Sequence, residues 1–472
     1  MARHWWPDGA TLDLFADPAK SEEAVGGFAG RAAAQEFAAF SAEARQLFEA
    51  FEGPVMTAAA PRLGALTRHV MRRPGLIPAM APHLTLAQGL ARRFSDPRLR
   101  QLFGRYATYV GGSPYKAPAI LSLIWRAESS GVWRVEGGMG RLAAAMARAA
   151  EAQGAAIIYG VEAAEIDIRG GAVAGVVTRD GQRRPAERVV FNGDPAALRR
   201  GLLGDAPRRA VSDAATTPRA LSAYVWSFAA KPGGVALAHH TVFFGAAPRA
   251  EFDDLAAGRM PRDPTLYVCA QDRGAQTSPS GDERFEIIMN APPTTPSART
   301  APEEERDACR TLTFETLARF GLTFAPAPET DRLTTPTDFA RLFPASDGSL
   351  YGRSPHGLTA TFQRPVARTS TTGLYLAGGG AHPGAGVPRA ALSGRRAAEA
   401  IVKDHSSTSP SRRTATPGGM STGSLTTDSA RSPSSGSSGR SFRPGIAGQA
   451  GATPRTTAAS TSRPMGPADA GR

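Results

Sequence analysis

The chain has 472 residues, 42% of them hydrophobic, enough to bury a large core across more than one domain. No run of about 20 apolar residues is present, so no segment reads as a membrane-crossing helix, and Cys269 and Cys309 are too far apart for a C-x-x-C metal or redox motif. The formal charge is +13, of which the segment Asp404 to Arg472, with eight Arg and three Asp, holds +5; its arginines lack the interleaved aromatics of a nucleic-acid surface, so no nucleic-acid partner is expected.

Met1–Leu14 reads as a hairpin of two short strands about Pro7-Asp8-Gly9, with Asp-Gly supplying the turn. Phe28 to Phe51 sets Phe37, Phe40, Ala44, Leu47, Phe48 and Phe51 at helical spacing, which predicts one amphipathic helix. Thr67 to Phe94 places Leu76, Ile77, Met80, Leu84, Leu86 and Leu90 between Arg68/Arg72/Arg73 and Arg92/Arg93, divided by prolines. Two readings stay open for it: an element in a membrane interface beside anionic headgroups, or core with a solvated arginine rim. Tyr106, Tyr109, Tyr115, Trp125 and Trp133 suit either a channel lining or simple core.

Gly138-Met139-Gly140-Arg141-Leu142-Ala143 fits G-x-G-x-x-A, with Glu162 near the spacing of a ribose acid. The preceding Val132 to Val135 is short and broken by Trp133 and Arg134, which argues against a dinucleotide turn there. Strands are expected over 156–159, 162–168, 173–178 and 188–191, after a helix over 140–153. The last strand runs into Asn192-Gly193-Asp194-Pro195, where Asp-Pro is an ordinary N-cap and N1 pair. From 221 to 290 the runs LSAYVWSF, HTVFFG, LYVCA and FEIIMN predict a mixed sheet, and 303–320 a helix whose acidic start complements its dipole.

Gly373 to Lys403 combines a short buried strand, a glycine-rich turn and a helix opened by Pro388. The glycines let backbone touch a flat ligand, and the helix dipole favours a group that becomes negative. By themselves these features also suit plain closure of an α/β domain. The string YLAGGGAHPGAGVPRAALSGRRAAEAI, together with LFGRYATYVGGSPYKAPAILSLIWRAESSGVWRVEGGMGRLAAAMARAAEAQG from Leu102 to Gly154, resembles the carotenoid desaturase family, the phytoene desaturase-like flavoproteins. The likeness runs from about Arg3 to Lys403 and is nearest to the hydroxyneurosporene, or 1-hydroxycarotenoid 3,4-, desaturases.

That resemblance implies an α/β (mixed α+β) flavoprotein with a Rossmann-like FAD/NAD(P)-binding domain of the amine oxidase/phytoene desaturase type and a second domain of mixed sheet and helices. It implies FAD, contacted by Val161, Asn192, Asp194, Gly378, Gly379, Gly380, Gly384, Gly386, Val387 and Pro388. It also implies an acyclic carotenoid substrate and a peripheral membrane surface, and it assigns the GGMG turn to the start of a helix; a cytoplasmic location is expected because no N-terminal charged and apolar signal pattern is seen. Dehydrogenation of adjacent carbons needs a hydride acceptor that no side chain can be. No Ser-His-Asp, paired-carboxylate or H-x-x-x-H pattern competes, His382 reads as a turn residue, no metal is expected, and no catalytic side chain stands out.

The family opens with a G-x-G-x-x-G βαβ unit that holds the pyrophosphate. No counterpart is visible, so truncation at the N-terminus or loss of half the nucleotide site is expected. The expected organisation is 1–130, a membrane-facing first part of the substrate domain; 131–204, FAD-binding; 205–368, the second part of the substrate domain; 369–403, the flavin-contact strand, turn and helix; and 404–472, a disordered polar tail, out of frame in the gene on one reading. The alternatives are a flavin amine oxidase or protoporphyrinogen oxidase relative, or a non-catalytic carotenoid-binding remnant.

Overall fold

A computed structural model describes residues 2–274, 279, 281–294 and 301–408. The predicted hairpin is present: β1 (Ala2–Trp5) and β2 (Thr11–Leu14) pair antiparallel about a turn in which Gly9 takes φ +82° and Asp8 accepts the Ala10 amide. The helix predicted over 28–51 is Arg31–Phe51; Gly30, at φ +92° and outside helical space, sets its start and separates it from a further helix, Pro18–Ala29. Phe37, Phe40, Ala44, Leu47 and Phe51 are buried as the spacing required. They pack with Phe94, Phe103 and Trp125 into a helical core, in which Phe94 stacks on Phe103 with ring centres 5.1 Å apart.

Prolines divide the next stretch into helices Leu63–Met71, Leu76–Met80 and Leu86–Ala91. Leu76, Leu86 and Leu90 turn into the helical core, whereas Leu63, Met71 and Ile77 are exposed beside Arg68, Arg72 and Arg73. The segment is therefore half core and half exposed apolar face. Among the described residues no helix is long and apolar enough to cross a membrane.

Met139–Ala152 is helical, begins at the GGMG turn and has no buried residue. The expected strand over 156–159 does not form. A strand needs a ladder partner, and none of the described strands pairs with this segment; Ile158 and Tyr159 stand exposed, as does Trp133 at 92%. β3 (Ala163–Arg169), β4 (Ala172–Thr178) and β5 (Arg183–Pro185) form a three-stranded antiparallel sheet. β6 (Val189–Phe191) instead leaves to pair elsewhere.

The large sheet contains β7 (Ser222–Gly234), β8 (His240–Phe243), β9 (Leu266–Ala270), β10 (Glu283–Ala291), β11 (Leu322–Ala325) and β12 (Leu333–Thr334). Its order is β11-β7-β10-β9-β8-β1-β2, with β12 also on β7, so the N-terminal hairpin closes one end through a parallel β1–β8 pairing. Along β10 the burial alternates: Phe285, Ile287 and Met289 face a core shared with Trp226 and with Leu317 of helix Glu303–Arg319. β13 (Leu374–Leu376) pairs in parallel with β6, as Leu374↔Val189 and Leu376↔Phe191. The helix that follows, Val387–Thr408, continues past Lys403, its last turn held by Arg368 and Tyr375 donating to Asp404. The remainder of the expected tail lies outside the described residues.

Candidate cofactor and substrate site

Because β6 and β13 are parallel and in register, the segments that follow them leave the same edge side by side, where ligands of parallel sheets sit. Asn192 to Pro195 follows one and Ala377 to Gly380 the other. A Cβ on Gly378 would lie 2.4 Å from Asn192 Oδ1, and one on Gly380 would lie 2.6 Å from Pro195 Cδ. Those two glycines are needed for the segments to touch. Gly379 and Gly386 differ: a Cβ at either meets nothing within 4 Å. Gly384 and Gly386 take φ +110° and +99°, conformations that side chains with a Cβ rarely adopt. Ser393, from the helix, donates to nothing in the turn but accepts the Gly378 amide at 2.7 Å, tying the helix to the turn.

The sequence-predicted residues divide accordingly. Asn192, Gly378, Gly379 and Gly380 come together at the strand edge, and Gly384, Gly386, Val387 and Pro388 continue the same loop into the helix. Pro388 has no N–H, and the amides of Arg389 and Ala390 both bond Gly386 carbonyl, so the donor at this helix start narrows to Val387. Asp194 caps Pro195–Arg199 by accepting the Ala196 amide and forms a buried ion pair with Arg219, which occupies its carboxylate. Val161 stands apart, exposed in the irregular stretch before β3.

Two arginines that sequence reasoning missed frame the turn. Arg364 donates to the carbonyls of Gly379 (3.0 Å), Tyr351 (2.8 Å) and Arg353 (2.9 Å). Burial pushes its pKa down to about 10, with the positive Arg353 beside it adding to the effect, so it remains a cation at neutral pH. Arg389, in the first turn of the helix, is lowered by burial alone. A group that gains negative charge over the turn therefore meets two guanidinium ions and a helix N-terminus. His382 donates from Nε2 to Ala58 carbonyl at 3.0 Å, which leaves Nδ1 buried without a partner.

An apolar cavity of about 300 Å³ opens beside this turn, walled by Pro383, Ala385, Arg364 and Arg389 on one side and by Phe51, Leu66 and Val70 on the other. Leu63 and Met71, both exposed, belong to the same wall. A second cavity of about 490 Å³ lies against the large sheet, lined by Arg105, Tyr109, Glu128, His240 and Tyr267 among others. Tyr109 and Val110 face different cavities, as do Ile124 and Leu123, so one helical wall separates the two. Of the aromatics considered for a channel, Tyr109 lines the larger cavity, Tyr106 and Trp125 are core, and Trp133 is exposed.

The glycine turn fits a flavin: a flat ring has room over Gly379 and Gly386, and cations flank it. Among the described residues no strand leads into the Gly138–Gly140 turn, so that motif lacks the frame of a dinucleotide site. Residues 12–227 match the flavin containing amine oxidoreductases, an oxidoreductase class whose name carries the cofactor the turn suits. Hydroxyneurosporene desaturases are similar over most of the chain. That of Cereibacter sphaeroides is 54% identical over 409 residues, 87% of this chain and 82% of the relative. That of Rhodobacter capsulatus is 52% identical over 404 residues (86% and 81%), and that of Rubrivivax gelatinosus 45% over 432 (90% and 82%). The chain belongs to the carotenoid desaturase family, as the strings at 102–154 and 375–401 indicated.

Proposed function

We propose that the chain carries FAD on the turn from Gly378 to Pro388 and introduces a double bond into a hydroxyneurosporene-type acyclic carotenoid drawn from a membrane surface. The observation that supports this most is the wall of the 300 Å³ cavity, which runs without a carboxylate from the glycine turn to exposed Leu63 and Met71. A polyene hydrocarbon needs an apolar path of that kind. A cationic amine would meet Arg364 and Arg389 there, which weighs against an amine oxidase activity.

When bound, the flavin supplies the hydride acceptor. The chain's own residues do the remainder. Arg364 holds Gly379 in place through its carbonyl and, with Arg389, offsets negative charge over the turn. Phe51, Leu66 and Val70 align the polyene and exclude water. Leu63, Met71 and Ile77 insert at a bilayer surface while Arg68, Arg72 and Arg73 meet anionic headgroups. In this reading 131–204 and 369–403 form the cofactor side, and 1–130 and 205–368 the substrate side. The test is expression in a host that accumulates hydroxylated neurosporene, followed by pigment extraction: a product absorbing at longer wavelength is expected, and unchanged pigment beside folded, flavin-supplied protein overturns the reading.

A further inference from the structure

His239 and His240 are adjacent in sequence, and the antiparallel β8–β9 ladder sets His240 directly opposite Cys269. His239, just before β8, folds onto the same spot: its Nε2 lies 3.8 Å from Cys269 Sγ, and the two imidazole rings are 4.4 Å apart, edge to face. One nitrogen from each histidine and the thiol sulfur all lie within 4.8 Å of one another.

The surroundings orient these donors. Arg273 carbonyl can only accept, so the 2.9 Å contact to His239 Nδ1 places the ring proton there and turns the Nε2 lone pair toward the sulfur. That carbonyl is itself fixed, because Arg273 is clamped by Glu283 through two hydrogen bonds of 2.7 and 2.8 Å and donates to Leu237 carbonyl. His240 Nδ1 is 2.7 Å from Tyr267 Oη, which leaves its other nitrogen available when Nδ1 carries the proton. Each histidine thus has an outer partner, the arrangement that sets tautomer and aim in metal-binding imidazoles. Cys269 is 9% exposed, and its sulfur faces His239 Nε2 at 3.8 Å.

We infer that His239, His240 and Cys269 form a binding site for a divalent metal of borderline softness, with zinc the best match. Two imidazoles and one thiolate are a zinc donor set that leaves a fourth tetrahedral position open. Binding replaces the thiol proton, which is released to solvent, so the metal is bridged to sulfur and two nitrogens with no redox change. His240 and Tyr267 line the 490 Å³ cavity, so the cluster adjoins that cavity and not the one beside the glycine turn. The site does not depend on the desaturase reading.

The experiment uses the purified full chain, treated with chelator and titrated with Co²⁺ and then Zn²⁺. Expected is one equivalent of Co²⁺ with a thiolate-to-metal charge-transfer band, displaced by Zn²⁺, and a zinc-dependent rise of the thermal transition. Cys269→Ser should abolish the band, His239→Asn and His240→Asn should each weaken binding by at least about 100-fold, and Tyr267→Phe by about 10-fold as the loss of an outer partner. Cys309→Ser, a buried thiol elsewhere, should leave the band unchanged. Circular dichroism identifies any variant that fails to fold; the near-isosteric Cys269→Ser keeps the test decisive. No band in the parent, a band that survives Cys269→Ser, or affinity indifferent to both histidines overturns the site.

Discussion

Replacing Gly379 by Val separates a ligand-contact glycine from a structural one. Gly379 needs no left-handed backbone, and a Cβ there meets nothing within 4 Å. The variant should therefore fold with a stability change within about 0.5 kcal/mol, as for a surface substitution. If a flavin ring lies over this turn at van der Waals contact, the added isopropyl group must displace it. Overpacking of that kind costs about 1–3 kcal/mol, roughly 5- to 150-fold in affinity at 1.4 kcal/mol per decade. Its neighbours supply the contrast. Gly380→Ala drives a methyl to 2.6 Å from Pro195 Cδ, and Gly378→Ala drives one to 2.4 Å from Asn192 Oδ1 at φ +97°, so both should lose about 1–3 kcal/mol of fold stability before any ligand is added. The assays are thermal unfolding without ligand, flavin titration by fluorescence quenching, and carotenoid extraction from an expressing host. Parent-level flavin affinity and product formation by Gly379→Val would refute the placement of the ring on this turn.

Arg364→Met removes three charge-assisted hydrogen bonds and leaves the carbonyls of Gly379, Tyr351 and Arg353 without that partner; a loss of about 3 kcal/mol or more is expected in denaturant titration. Changing Arg68, Arg72 and Arg73 together to Gln should weaken co-sedimentation with anionic vesicles by about 100-fold, from about 1 kcal/mol per arginine. Arg93→Gln should instead act on folding, since Arg93 pairs with Glu43 and donates to the carbonyls of Gly89 and Ala79. Glu251 is fully buried, and burial raises its pKa from 4.5 to about 7, opposed by hydrogen bonds from Asn290 and Thr265. Its folded-state pKa is the higher one, so its stabilising contribution is complete below about pH 4.5 and is lost as pH rises through about 7. Glu251→Gln should flatten this part of the stability profile, and an unchanged slope between pH 5 and 8 would count against the assignment.

How much was legible depended on whether a feature is local. The strand, glycine turn and helix of 373–403 could be read because a short apolar run, glycine clustering and a first-turn proline are short-range signals, and β13 and its helix stand where those signals put them. The β-rich run of β10 and the Asp194-Pro195 cap were readable for the same reason. The apolar stretch at 156–159 looked like a strand because composition reports hydrophobicity and says nothing of a ladder partner. Arg364 and Arg389 gave no signal at all. In sequence they are two among many arginines, and only the fold turns one onto three carbonyls and the other into the cavity wall. The His239, His240 and Cys269 cluster needs the β8–β9 register, a one-residue slip of which would send Cys269 to the other face.

The placement of charge around the turn follows from what the two sides of the site must do. An apolar cavity suits a polyene but offers nothing to a ring that becomes anionic, and in a low-dielectric setting an uncompensated charge there would be strongly disfavoured. Asp194 is a carboxylate at the strand edge, and it is held by Arg219 and by the Ala196 amide. Neither Arg364 nor Arg389 forms an ion pair with it, although its charge acts on Arg364 from a distance, and both arginines line the cavity. In the proposed placement positive charge meets the ring edge, while Phe51, Leu66 and Val70 keep the opposite wall apolar. The same division explains why Arg364 is anchored on backbone carbonyls instead of on a carboxylate: neutral acceptors hold the guanidinium in place without neutralising it, so its field remains available over Gly379.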